Sequence, residues 1–470
     1  MALDEDISGA LARVLARALP DFRSLDSVEQ LTAGASQETY RLTLDTESGT
    51  RRLALRRSPP TIEQDSGVGG ITLRTEARLL HLAVSNGIPG PAIVQVLAPE
   101  DGLGAGFIME WLEGETLGQR INRADQFATV RPALARECGR ILGRIHTLDW
   151  QAAGLEDELP LIEPGALVEE TWNIYRELDV PVPMIDYTRR WLGNNLPRHS
   201  RVALVHGDFR NGNLMVTPQG ISAVLDWELA QIGDPVRDLG WLCVNSWRFG
   251  HSELPVGGFG EVDDLLAGYR ETSGYTVTPR ELEFWQVFGS FWWSVVTLQM
   301  ANAWRTGESP SLERPVIGRR STEAQMDCVN LLIPGDYALP DLQRPLSSGT
   351  QLPMPAELLE GVVRFLKEEV ATELQGRSAF LARVAANSLQ IAQRELQFGS
   401  LLANEEKARL DSLLGTTDDL ESQRRELVNR LRQALPLDAP GLAEHLRQTV
   451  ATQLALDQPR YSALRDGDTR

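Results

Sequence analysis

Two short apolar runs, each ending in charged or amide residues, restrict this chain more than any other feature. They are "LVHGDFRNGNLMV", Leu204 to Val216, and "AVLDWELAQIGDP", Ala223 to Pro235. Acidic groups beside apolar strands are costly to bury without a partner. Singly, Asp and Asn next to Gly serve as turn formers and caps. Their conjunction has chemical content. Asp208 and Asn213 are separated by four residues on a loop between two short strands. That spacing lets the loop aim a carboxylate at an acceptor hydroxyl and an amide oxygen at a metal. Asp226 ends the strand "ISAVLD" and supplies a charged metal ligand. Phosphoryl transfer is chiefly positioning plus charge neutralisation, and these are the groups it requires.

The flanking pattern gives the setting. "EQLTAGASQETYRLTLDTESGTRRLALRRSP", Glu29 to Pro59, alternates as strand, glycine turn, strand, polar hairpin, strand. A helix follows with Leu73, Ala77, Leu80 and Ala83 on one face, ended by Asn86, Gly87 and Pro89. Strands are expected at "AIVQVLA" and "GFIMEWL", and helices dominate from Thr116 onward. "LPDLQRPLSSGTQLPMP" reads as a linker. Beyond it, apolar residues at helical spacing (Leu358, Val362, Phe365 and Leu366; Phe380, Val384 and Leu389) suggest a helical module that buries its stripes internally. The expected organisation is residues 1–111 as a β-rich lobe, 112–340 as a helical lobe, 341–355 as linker and 356–470 as an all-α domain.

The motif H-G-D-x-x-x-x-N, followed after a hairpin by a strand ending in Asp, resembles the catalytic and metal loops of kinase-like phosphotransferases. "HGDFRNGNLMV…VLDWELAQIGDPVRDLGWL" is similar to the aminoglycoside phosphotransferase and choline kinase superfamily, over about residues 25–335. The resemblance implies an α+β, two-lobed protein-kinase-like fold followed by a separate all-α module. It implies Asp208 as catalytic base, with Asn213 and Asp226 as Mg²⁺ ligands beside ATP. His206 would brace the loop and Asp238 would hydrogen-bond the backbone behind it.

On the nucleotide side, Gly34, Ala35 and Ser36 lie where a phosphate-covering turn is expected, although the stretch departs from G-x-G-x-x-G and a plain hairpin would look the same. A kinase fold normally presents a lysine from its third strand, but no lysine precedes Lys367. Arg56 stands at the matching position with Glu76 as its partner, and Arg57 is the rival. A guanidinium bridges two phosphate oxygens and stays charged when desolvated. By resemblance, the backbone of Glu110 and Leu112 would meet the adenine edge.

The 470 residues are 42% hydrophobic and 24% charged, ordinary for a soluble globular protein. Cys138, Cys243 and Cys328 match no metal spacing and suit buried thiols in a reducing cytoplasm. The formal charge of −19 disfavours nucleic acid and anionic membrane as partners. It is uneven, with 31 basic and 47 acidic side chains in residues 1–350 but 15 and 18 in 351–470. "DWELAQIGDPVRDLG" runs straight into the next helix without a peptide-docking platform, which favours a small-molecule hydroxyl acceptor. Trp241, Trp247, Trp285, Trp292, Trp293 and Trp304 would either cage a quaternary amine or form core. The third strand's "LRR", "HGDFRNGN" and the C-terminal "GRSAFLARVAANSLQIAQREL" are closer to phosphotransferases of the acyl-CoA dehydrogenase-associated group. That resemblance implies a 4-hydroxyacyl-CoA acceptor, with Arg237, Arg248, Arg319 and Arg320 as candidates for a basic patch. The alternatives are an amino-sugar or amino-alcohol kinase and an inactive nucleotide-binding scaffold. A homodimer stays open.

Overall fold

The computed structural model describes residues 5–33, 37–58, 70–197, 201–342 and 354–464. Gly34, Ala35 and Ser36, and most of the expected linker 341–355, lie outside the described residues. The chain divides into two compact units. The first comprises residues 1–163, 199–243 and 247–282, and the second residues 164–198, 244–246 and 283–470.

The first unit begins with the amphipathic helix Glu5–Ala18 and a five-stranded antiparallel sheet. Its strands are β1 (Phe22–Ala33), β2 (Glu38–Thr46), β3 (Gly49–Ser58), β4 (Ile93–Val96) and β5 (Ala105–Glu110), in the order β1-β2-β3-β5-β4. Alternation decides which side each residue serves. Leu42, Leu44, Leu53 and Leu55 pack with Leu11, Val14 and Leu15 of the N-terminal helix. Each such buried leucine contributes roughly 2 kcal/mol. Helix Leu73–Ser85 is capped by Thr72, whose hydroxyl accepts from the Thr75 N–H at 3.2 Å, and ends at Asn86. Leu73, Ala77, Leu80 and Ala83 are buried as expected, and Glu76 is buried with them.

The remainder of this unit carries two small antiparallel sheets. β6 (Ala203–Val205) pairs with β9 (Gln231–Gly233), and β7 (Leu214–Thr217) with β8 (Gly220–Val224). The loops 206–213 and 225–230 leave these strands, so strand pairing fixes their relation. Helices Arg131–Ile145 and Val262–Ser273 cross where Gly139 and Gly268 allow it. A Cβ at Gly139 would lie 2.1 Å from the Leu265 carbonyl, and one at Gly268 2.0 Å from that of Arg136.

The second unit is helical. The helices Pro183–Asn194 and Ser321–Leu332 share a core with Gly376–Leu414, Leu420–Gln433 and Leu442–Asp457. Met184, Tyr187, Met326 and Val329 meet Leu410, Leu427, Leu431, Leu446 and Leu454 there. Compactness therefore groups the chain differently from the segment boundaries expected from sequence. The buried Asp186 carboxylate accepts from Arg432 Nε at 2.7 Å across the same core. The apolar stripe expected to be internal is instead open: Leu358 is 59% exposed, and Val362, Phe365 and Phe380 are exposed too. Helix Pro355–Phe365 packs mainly on one neighbour, Gly376–Leu414, which cannot cover its whole apolar side. The three cysteines are buried free thiols. Among the described residues no helix is long and apolar enough to cross a membrane.

Candidate active site

The loop after β6 is held from behind. Gly207 has a φ of +86°, and a Cβ there would stand 2.2 Å from the Leu229 carbonyl, so the position requires glycine. The Asp238 carboxylate accepts from the His206 N–H at 2.8 Å and the Gly207 N–H at 2.9 Å. His146 Nε2 approaches it at 3.1 Å, and Tyr269 lies 3.0 Å from the other ring nitrogen of His146. Burial alone would raise Asp238, but the bonds and charge from His146 and His206 outweigh it and keep the carboxyl below its ordinary range.

His206 joins two loops. Its Nδ1 accepts from the Asp208 N–H at 3.2 Å, which leaves Nε2 to donate to the Leu225 carbonyl at 3.1 Å. Burial lowers its pKa despite the charges of Asp238, Asp208 and Asp226, so the ring is neutral at pH 7. The Leu225 N–H in turn donates to the Asn213 carbonyl at 2.8 Å. The loops carrying Asp208, Asn213 and Asp226 are thus tied to each other through main chain and imidazole.

Asp208 is orientated from three sides. Its Oδ1 accepts from Trp241 Nε1 at 2.7 Å and Arg210 Nε at 2.8 Å, and its Oδ2 accepts from Asn213 Nδ2 at 2.6 Å. The Arg210 guanidinium lies 4.4 Å from the Trp247 ring, and Trp241 meets Trp247 edge-on at 5.0 Å. Asn211 pins the loop by donating to the Gly257 carbonyl at 2.6 Å.

Asp226 has a left-handed φ of 64°, which Asp tolerates better than a branched residue. Its Oδ1 meets Arg56 Nη2 at 2.8 Å. Arg56 also contacts Glu228 at 3.0 Å and Glu76 at 3.2 Å. Alternation along β3 separates the two arginines: Arg57 is buried with Leu53 and Leu55, bonding Glu38 at 3.0 Å and the Leu103 carbonyl at 3.2 Å. Arg56 is the arginine that reaches Asp226. Burial, reinforced by Asp226 and Glu228, raises Glu76 to about 7 against the attraction of Arg56. Burial and Asp226 also raise Glu228.

Arg56, Glu76, Asp226 and Glu228 together hold three potential negative charges against one positive charge. The three carboxylates, with the Asn213 amide, offer hard oxygens of the kind that suit Mg²⁺. No group of three or more His, Cys, Asp or Glu suited to a metal occurs among the described residues. A magnesium ion fits such a set because it takes only one or two carboxylates and completes its shell with water and phosphate.

At the expected hinge, the Glu110 N–H donates to the Ala92 carbonyl at 2.9 Å and its carboxylate pairs with Arg51. The Leu112 main chain makes no hydrogen bond among the described residues. Of the expected basic patch, Arg248 is spent on the Ser252 and Cys243 carbonyls, Arg319 pairs with Asp457, and Arg320 pairs with Glu323. Trp285 is core, Trp292 and Trp293 stack on each other, and Trp304 is exposed. Glu228, Arg210 and His146 were not anticipated. Glu228 had a local signal, lying two residues beyond Asp226; His146 had none.

The model of the phosphotransferase enzyme family (APH) matches residues 27–275. The chain belongs to the phosphotransferase enzyme family. A second model, a domain of unknown function (DUF6285), matches residues 372–461 of this phosphotransferase. Acyl-CoA dehydrogenase family member 10 of Mus musculus is 30% identical over 220 residues, covering 46% of this chain and 20% of the relative. Acyl-CoA dehydrogenase family member 11 of Gallus gallus is 28% identical over 315 residues, covering 60% and 38%. The phosphotransferase therefore spans less than half the length of these relatives. The crystal structure of a Ralstonia eutropha protein assigned as an aminoglycoside phosphotransferase superposes with a TM-score of 0.55 at 23% identity, over 68% of this chain and 96% of that one. The fold is kinase-like: an N-terminal antiparallel sheet, a helical lobe, and a further helical region.

Proposed function

We propose that this phosphotransferase moves the γ-phosphoryl group of ATP to the hydroxyl of a small molecule, with Asp208 as the base. The observation that carries this is the junction of Asp208, Asn213 and Asp226 through His206, the Leu225 N–H and Arg56. Asp208 accepts the hydroxyl proton as the oxygen attacks phosphorus. Trp241, Arg210 and Asn213 hold both carboxylate oxygens, so the base enters the reaction already aimed. Arg56 turns from its carboxylates to the α- and β-phosphates. Asp226 and Asn213, joined by Glu228, would hold Mg²⁺, which when bound neutralises phosphate oxygens. Asp238 and His146 fix the loop and touch no substrate in this scheme. Leu112 offers its main chain to the adenine edge.

The acceptor we infer is a hydroxyacyl-CoA, phosphorylated at its chain hydroxyl. Arg210, ion-paired to Asp208 at 2.8 Å, puts a cation beside the base and would repel an ammonium acceptor. The names of the two relatives support an acyl-CoA link. The acidic balance of residues 1–350 favours the rival amino-alcohol or amino-sugar. A coupled ADP-release assay across 4-hydroxyacyl-CoAs, free hydroxy acids and amino-alcohols separates them. Turnover dependent on the thioester is expected. Preference for amines would replace the acceptor, and nucleotide binding without turnover on any of them would favour the scaffold alternative.

A further inference from the structure

The second unit contains a cavity of about 400 Å³, within the range of small-molecule sites. Part of its lining is apolar, from Met184, Leu298, Leu446 and Val450. Most of the charged lining is closed upon itself. Arg424 donates to Glu406 through Nε at 2.8 Å and Nη2 at 2.5 Å. Arg319 meets Asp457 at 3.1 Å and Glu395 at 3.2 Å, while Thr322 and Gln453 also donate to Asp457.

His445 is the exception. It lines the cavity, is 2% exposed, and neither ring nitrogen has a hydrogen-bond partner among the described residues. Buried polar groups in folded proteins are nearly always satisfied, so both ring nitrogens call for a partner such as a water or a ligand atom. Burial, aided by Arg409 and Arg424 and opposed by Glu406, lowers its pKa to about 4. The neutral ring presents one N–H donor and one lone pair.

We propose that this cavity binds a small uncharged molecule carrying hydroxyl groups on an apolar body, with His445 as its polar anchor. A hydroxyl donates and accepts, so it can satisfy either ring nitrogen. An ammonium could not accept from the imidazole N–H. Three carboxylates against two guanidiniums leave no positive charge for an anion. The hydrocarbon body would cover Met184, Leu298, Leu446 and Val450. None of these residues belongs to the phosphoryl-transfer machinery, so the site stands or falls independently of that proposal.

The test uses the full chain labelled with ¹⁵N-histidine, with His445→Gln identifying the resonance among the six histidines. Three compounds with one ring body are titrated: trans-1,4-cyclohexanediol, trans-4-aminocyclohexanol and trans-4-hydroxycyclohexanecarboxylate. The diol is expected to shift the His445 ring signals saturably with a Kd of about 1–10 mM, and the charged analogues to bind about tenfold more weakly. Thr449→Phe, which fills part of the cavity, should weaken the diol by about tenfold. Absence of a saturable His445 shift with the diol in the native chain overturns the proposal, and so does tighter binding of either charged analogue.

Discussion

The cluster around Arg56 and the cavity around His445 both combine buried and partly exposed ionisable groups, and they are incomplete in different ways. At Arg56 every carboxylate has a partner, but one guanidinium serves three of them. What is missing there is positive charge. At His445 the carboxylates and guanidiniums nearly balance, and what is missing is a hydrogen-bond partner. The first deficit suits a metal–phosphate complex and the second an uncharged molecule. A site's chemistry is better read from what its groups lack than from which residue types line it.

The largest effect should come from Asp208→Ala, which removes the proposed base while leaving the Arg56 cluster in place. Turnover should fall by about 10²- to 10⁴-fold, with nucleotide affinity by titration calorimetry nearly unchanged. Activity surviving within a few-fold would break the assignment. In the second unit, Leu427→Ala empties a fully buried position, 0% exposed. About 2–5 kcal/mol should be lost in denaturant unfolding, with phosphoryl transfer retained under native conditions.

The pH dependence of the Arg56 cluster has a definite sign. Glu76 is raised from 4.5 to about 7 in the folded chain, so the folded state holds a proton that the unfolded state has released. That contribution is fully present below pH 4.5 and is lost as pH rises through 7, with a magnitude on the order of 3 kcal/mol. Glu76→Gln should flatten the fall of Tm across this window. A native Tm rising from pH 5 to 8 relative to the variant would reverse the sign. Trp241→Phe removes the 2.7 Å bond to Asp208 Oδ1 and should cost about 1 kcal/mol, or about fivefold in kcat. The smallest effect is expected at Leu358, whose truncation to Ala should change stability by less than about 0.5 kcal/mol because the side chain is already exposed.

Leu358 and Leu427 also mark where sequence patterning stops informing. Both sit at helical spacing in apolar stripes, yet one is open and the other is core. Periodicity identifies a face but not its neighbour. Similarly, Asp238 and His206 were legible through the family resemblance of the segment that carries both, whereas His146 reaches Asp238 from 92 residues away with no pattern to announce it.

The sequence by itself determined the strand–helix order and the loop spacing of Asp208, Asn213 and Asp226, since these follow from patterning along the chain. Only the tertiary structure decided that Arg56 rather than Arg57 meets Asp226, that Glu228 joins them, that the Glu110 N–H donates to the Ala92 carbonyl, and that the C-terminal helices share a core with Pro183–Asn194 and Ser321–Leu332. Those outcomes rest on which faces meet, and that is set by packing between segments far apart in the chain.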